Sequence, residues 1–232
     1  MADERWQFIA DRIRAADPTL TGGKRICLVA NELLDAKCVS LAKVIDHAYS
    51  PVADTDALGA LLDDEQFALG NGPTFEAQRS PAPIILDDLH AHRAMARWPI
   101  FAELAHKHGI HGACVFPLRI GDAYLGVLTA YRDHSGELSA TQYADGLILA
   151  SLATAELVRT EAGVSSEAGL GIFDPGLYHQ SALHVAAGMV AESLNVSIVA
   201  ALVLIRARAF ANDQPVSKTA QQIVARELVL EK

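Results

Sequence analysis

Two apolar segments, Gly112–Ile120 and Tyr124–Arg132, are joined through Gly121-Asp122, and this is the strongest constraint in the chain. Two β-rich runs around a short Gly/Asp connection read as a β-hairpin. The hairpin commits the chain to an antiparallel sheet. Cys38-Val-Ser-Leu-Ala-Lys-Val-Ile alternates with period two and reads as another strand. Ala57–Leu62 is expected as a strand too, and Pro81-Ala-Pro-Ile-Ile-Leu as a short one ending at Asp87-Asp88.

Helical spacing surrounds these strands. Residues 3–15 place Trp6, Ile9, Ala10 and Ile13 on one face, and a second helix from about Gly23 to Leu34 turns Ile26, Val29, Ala30 and Leu33 inward. Leu69-Gly-Asn-Gly-Pro is a turn by composition, followed by a short helix over Thr74–Gln78. Trp98–His108 reads as a helix closed by Gly109. Ser139-x-x-Gln142 is a capping box opening a long helix to about Arg159. This order predicts an α+β domain over residues 1–160, an antiparallel sheet flanked by helices.

Residues 161–176 are rich in Gly, Ser and Ala and read as a linker. Residues 177–232 fit three helices: about Leu177–Leu194, one following Ser197 as N-cap, and one following Ser217 and continuing toward residue 230. Their inward positions are rich in alanine, so close packing in an all-α three-helix C-terminal domain is expected.

With 232 residues, 51% of them hydrophobic, the chain can bury a substantial core. Its longest apolar runs fall short of a membrane span. The acidic N-terminus does not read as a signal peptide. Cys27, Cys38 and Cys114 are odd in number and far apart, which suggests neither a disulfide framework nor a metal knuckle. A cytoplasmic setting is expected. Net charge is −9, distributed as −10 over residues 1–176 and +1 over the remainder. A nucleic-acid site therefore belongs in the tail.

Residues 180–230 resemble an ANTAR domain, the three-helix RNA-binding module of transcription antitermination regulators. The resemblance rests on Ala186-Ala-Gly188-Met189, Leu194-Asn-Val-Ser197, Ala201-Leu-Val-Leu-Ile205-Arg206-Ala-Arg208-Ala209 and Ala220-x-x-Ile223-Val224. Residues 20–160 are similar to GAF domains in Leu69-Gly-Asn-Gly-Pro73, Asp87-Asp-Leu, Arg97-Trp98-Pro99, Phe116-Pro117-Leu118-Arg119 and Leu125-Gly126-Val127-Leu128. The sequence departs from these relatives at Val185, where Gln is frequent, and at Asn71 and Thr74, where Glu and Cys are common.

The resemblance implies a GAF sensor controlling an RNA-binding antitermination module, acting as a homodimer on leader-transcript hairpins. Ala186, Gly188, Ala201, Ala209 and Ala220 would form its small-residue motif. Arg206, Arg208, Lys218 and Arg226 are the cations available to phosphate or an unpaired base, with Gln221 and Gln222 able to hydrogen-bond base edges. Cys38, Phe75, Asp87, Trp98, Phe116, Tyr124 and Tyr131 are candidates for a GAF pocket holding a small-molecule effector. The alternative is a GAF-mediated dimeric relay protein whose tail binds no RNA.

Other chemistry has little basis. Ser165-Ser166 lacks a nucleophile elbow, and Gly70-Asn-Gly72 lacks the Gly and Lys of a phosphate loop. His90-Ala-His92 and His106-Lys-His108-Gly-Ile-His111 resemble metal spacing, but His106 and His108 face different ways on a helix. No catalytic residue, metal site or cofactor is expected.

Overall fold

The computed structural model describes residues 2–45, 48–161, 186–194, 196, 198–212 and 214–230. Its helices in the body are α1 (Ala2–Ala15), α2 (Gly22–Leu33), α3 (Ala57–Leu69), α4 (Pro73–Glu76), α5 (His92–Arg97), α6 (Pro99–Lys107) and α7 (Ala140–Glu161). The strands are β1 (Cys38–Ile45), β2 (Ala48–Asp54), β3 (Ile84–Leu86), β4 (Gly112–Ile120) and β5 (Ala123–Arg132). They form one sheet in the order β2-β1-β5-β4-β3, every neighbouring pair antiparallel. The expected hairpin is β4–β5, with Ile120 paired to Ala123 across the turn and Gly112 to Arg132 at the far end.

Helices α1, α2 and α7 cover one face of the sheet, around Ile9, Ile26, Leu41, Phe116, Leu128 and Leu149. Helices α3 to α6 lie over the other, where Cys38, Leu62, Trp98, Phe101 and Tyr131 pack together. The capping box is present: Gln142 N–H donates to Ser139 Oγ at 3.1 Å and Ser139 N–H to Gln142 Oε1 at 3.0 Å. Arg5 grips the buried Asp145 of α7 with two hydrogen bonds, 2.7 and 2.6 Å, and so ties α1 to that layer. Trp6, expected inward, is 43% exposed.

Two elements differ from the sequence reading. Ala57–Leu62 belongs to helix α3, not to a strand. Asp56 caps its start by accepting from Leu58 N–H at 2.9 Å, and Gly70 closes it with a left-handed φ of 63°. A short apolar run fits either period; the caps decide it. The missing strand is β2, in which Pro51 pairs with Ala42 beside a register shift that leaves Val52 unpaired. Proline lacks an N–H, and β2 lies at the sheet edge, where that loss is tolerated. The helix expected over Trp98–His108 is divided, with Trp98 buried at the junction of α5 and α6.

Three C-terminal helical segments are described: α8 (residues 186–194), α9 (Ile198–Ala211) and α10 (Val216–Val224). Helix α10 starts before Ser217, directly after Pro215, and it stops short of residue 230. The backbone turns left-handed at Arg226, φ 60°, yet Leu228 still packs against the helices. Ser197, residues 162–176 of the expected linker and residues 177–185 of the expected first helix lie outside the described residues. Among the described residues, no helix is long and apolar enough to cross a membrane.

Candidate functional site

Helix α3 crosses the sheet with Asp63 and Gln66 one turn apart on its inner side, both buried. Asp63 accepts from Ser40 Oγ on β1 at 2.5 Å and from Tyr49 Oη on β2 at 2.8 Å through one carboxyl oxygen. The other oxygen accepts from Tyr131 Oη on β5 and, at 3.3 Å, from Thr74 Oγ1 on α4. Gln66 donates to Tyr131 Oη at 2.7 Å and accepts from Thr74 N–H at 2.8 Å. Thr129 extends the group, 3.4 Å from the Thr74 hydroxyl. Burial raises the Asp63 carboxyl above its ordinary range, while the hydroxyl donors pull it back. Burial beside Asp63 holds the Tyr49 and Tyr131 phenols well above theirs.

This network is a small polar chamber sealed by the chain's own groups. Tyr124, which packs against the cluster containing Tyr49, has its Oη buried without a hydrogen-bond partner among the described residues. Buried orphans of this kind are uncommon.

The expected pocket residues separate. Cys38, Trp98 and Tyr131 share one cluster on the α3 side, and the Trp98 indole donates to Glu76 Oε1 at 2.7 Å. Tyr124 packs with Val127 and Phe67, and Phe75 meets Phe67 edge-on at 5.7 Å. Phe116 lies on the opposite face. Strand alternation puts Cys114, Phe116 and Leu118 toward α7, and Ala113 and Val115 toward α3. Asp87 is exposed after β3, its carbonyl accepting from Gly136 N–H at 2.8 Å.

Sequence reasoning missed Asp63, Ser40, Tyr49, Gln66, Thr74 and Thr129. The usable signal was the pair of caps, Asp56 and Gly70. They bracket a helix on which Asp63 and Gln66 share the face of Leu62.

The cysteines are buried, and burial raises the Cys38 and Cys114 thiols to about 12 and lifts Cys27 as well. The His90 ring meets those of His106 and His111 at 4.7 and 4.8 Å, and His90 Nε2 is buried without a hydrogen-bond partner among the described residues. Among the described residues, no three His, Cys, Asp or Glu side chains are arranged to hold a metal ion.

In the tail, Ala186, Ala201, Ala209 and Ala220 meet in one buried cluster with Val190, Ile205 and Ile223. Gly188 is exposed, and a Cβ there would touch nothing, so packing among the described residues does not require glycine. Arg208, Lys218 and Arg226 are exposed and Gln221 is half-buried. Arg206 stands apart from them. It is half-buried, and its Nε donates to the Ala68 carbonyl of α3. Burial lowers the guanidinium from its ordinary value.

No family model matches the chain, and no curated protein sequence does. Solved structures are similar in fold. The GAF domain of a phosphoenolpyruvate-protein phosphotransferase from Coxiella burnetii aligns over 70% of this chain and 96% of its own, with TM-score 0.53 and 22% identity. The GAF domain of the corresponding Acinetobacter protein aligns over 71% and 96%, with TM-score 0.51 and 11% identity. The five-stranded antiparallel sheet with its helices on both faces is therefore a GAF fold.

Proposed function

We propose that the chain is a cytoplasmic, non-enzymatic regulator in which the GAF domain controls an ANTAR-type RNA-binding module that promotes transcription antitermination. The observation that carries this reading is the division within the tail. Alanines at the resemblance positions are buried in the helical cluster, while Arg208, Lys218 and Arg226 stay in solvent. Close packing through small residues leaves these cations free for phosphates. As a homodimer the protein would present two such modules to two adjacent hairpins. The polar chamber around Asp63, with the Tyr124 hydroxyl unsatisfied near it, supports a small polar effector.

Direct RNA binding by the full chain tests the proposal. A labelled pool of RNAs, each carrying two hairpins with randomised loops, should bind saturably and weaken steeply with salt. The triple variant Arg208→Ala/Lys218→Ala/Arg226→Ala should reduce both the affinity and the salt slope. Salt-insensitive or absent binding would leave the second reading, a dimeric relay protein. That alternative is favoured by Arg206 facing the GAF domain instead of solvent.

A further inference from the structure

Two polar contacts fasten the C-terminal helices to one face of α3. Glu65 and Ala68 lie three residues apart and so share that face. The Ala68 carbonyl belongs to the last turn of α3, whose carbonyls lack intrahelical partners, and Arg206 of α9 donates to it. The Glu65 carboxylate accepts the N–H of Val216, the first residue of α10, at 3.1 Å. That N–H is one of the free donors of a helix start, so Glu65 caps α10 from a different element. Between the two contacts, the Ala68 side chain is buried with Ile205, Ala209 and Val216.

The joint is not sealed as a core is. A cleft of about 360 Å³ opens along it, lined by Leu69, Leu104, Lys107, Ala209 and Phe210 among others. Glu65 and Arg206 both give up water here, and each meets a neutral backbone group, the Val216 N–H and the Ala68 carbonyl. A desolvated charge met only by a neutral dipole is incompletely compensated. An apolar patch and two hydrogen bonds hold this contact, and the desolvation of Glu65 and Arg206 offsets part of that hold.

We infer that the outer face of α3 is a releasable docking surface for this chain's own α9 and α10, and that docking withholds Arg206 from RNA. The surface itself is argued from geometry; its consequence for RNA rests on the function proposed above. Helix α3 also carries Asp63 and Gln66 on its inner side. A molecule entering the polar chamber must part that network and so disturb the helix that holds the tail.

The test compares full-length wild type with Ala68→Glu and Val216→Pro. The first puts a charged side chain into the apolar patch. The second removes the capped N–H, at a helix position that tolerates proline, and also trims the buried Val216 side chain from the same patch. Arg206 accessibility is read by phenylglyoxal labelling and peptide mass spectrometry, with the exposed Arg208 as internal reference. Arg206 in wild type should react about tenfold more slowly than Arg208, and either variant should bring the two rates together. Equal rates in wild type, or Arg206 protection unchanged in both variants, would overturn the docking surface. The same proteins are then titrated with the two-hairpin RNA pool, where release should tighten binding about tenfold. If release raises Arg206 reactivity but no protein binds RNA, docking is upheld and the RNA-binding proposal fails. If released proteins bind RNA no better than wild type, the withholding role of docking is overturned.

Discussion

Asp63 and Glu65, two residues apart on α3, point to opposite sides of the helix. Asp63 lies under four hydroxyl groups on the sheet side, and Glu65 lies under the first turn of α10. A separation of two residues is a little over half a helical turn, which sends the two carboxyls apart. One rigid element therefore touches both the polar chamber and the tail.

Asp63→Asn should lower stability by about 1–3 kcal/mol, because the new amide turns a donor toward hydroxyls that already donate. Tyr131→Phe removes one of those donors and the acceptor of Gln66, and should cost about 1–2 kcal/mol. Urea denaturation midpoints measure both. Midpoints equal to wild type would mean that the network adds nothing to stability.

Docking should strengthen on acidification. Burial raises the Glu65 carboxyl from 4.5 to about 7, with the neighbouring Asp64 adding to the rise and the Val216 hydrogen bond opposing it. Released into water, Glu65 returns toward its ordinary value, so the docked form holds its proton more tightly. Its contribution is complete below about pH 4.5, falls as pH rises toward 7, and is level above that. The swing is at most on the order of 3 kcal/mol. Glu103 and Lys107 of α6, His108 just after it and Arg206 of α9 line the same cleft and will modulate it. The ratio of Arg206 to Arg208 labelling should therefore climb between pH 5 and 7. Glu65→Gln should flatten that profile, and a slope surviving in the variant would assign it to another group.

Gly146→Ala should destabilise the GAF domain by about 1–3 kcal/mol. A Cβ at this α7 position would lie 2.1 Å from Cζ of Phe116, and the ring is enclosed on every side. Combining it with Phe116→Leu should cost less than the two single losses added together, because the smaller side chain makes room. Thermal unfolding of the four proteins measures this coupling, and strict additivity would contradict the contact.

The three thiols should resist Ellman's reagent in the native protein and react fully in denaturant. Burial raises all of them, Cys38 and Cys114 to about 12 from an ordinary 9. Unfolded thiols ionise first, so stability should decline as pH climbs above 9. Rapid labelling of the native protein would reveal an opening of the fold near one cysteine.

Where a local signal was sufficient, the sequence was legible. The β4–β5 hairpin and the Ser139/Gln142 capping box follow from a few adjacent residues, and both are present. Strand β2 was harder, because Pro51 argues against a strand unless its place at the edge is already known. Phe116 illustrates a different limit. Alternation along β4 shows that Phe116 and Val115 face opposite ways, but the pairing pattern alone does not say which side carries α3. The Asp63 chamber draws on β1, β2, α3, α4 and β5, so nothing in one stretch of sequence announces it. For Arg206 the residue type was informative and its surroundings were not, since the Ala68 carbonyl lies 138 positions away along the chain.

The bond between Arg5 and Asp145 gives the first turn of the chain an unexpected weight. An exopeptidase removing five residues would take away Arg5 and strand a carboxylate inside the protein. Arg5 is partly open to solvent, so the penalty is about 1–3 kcal/mol, a sizeable share of the margin by which domains stay folded. Trimming at this end would therefore act like a substitution deep in α7, and a tag cleaved too far downstream would yield a protein that melts early with its core sequence intact.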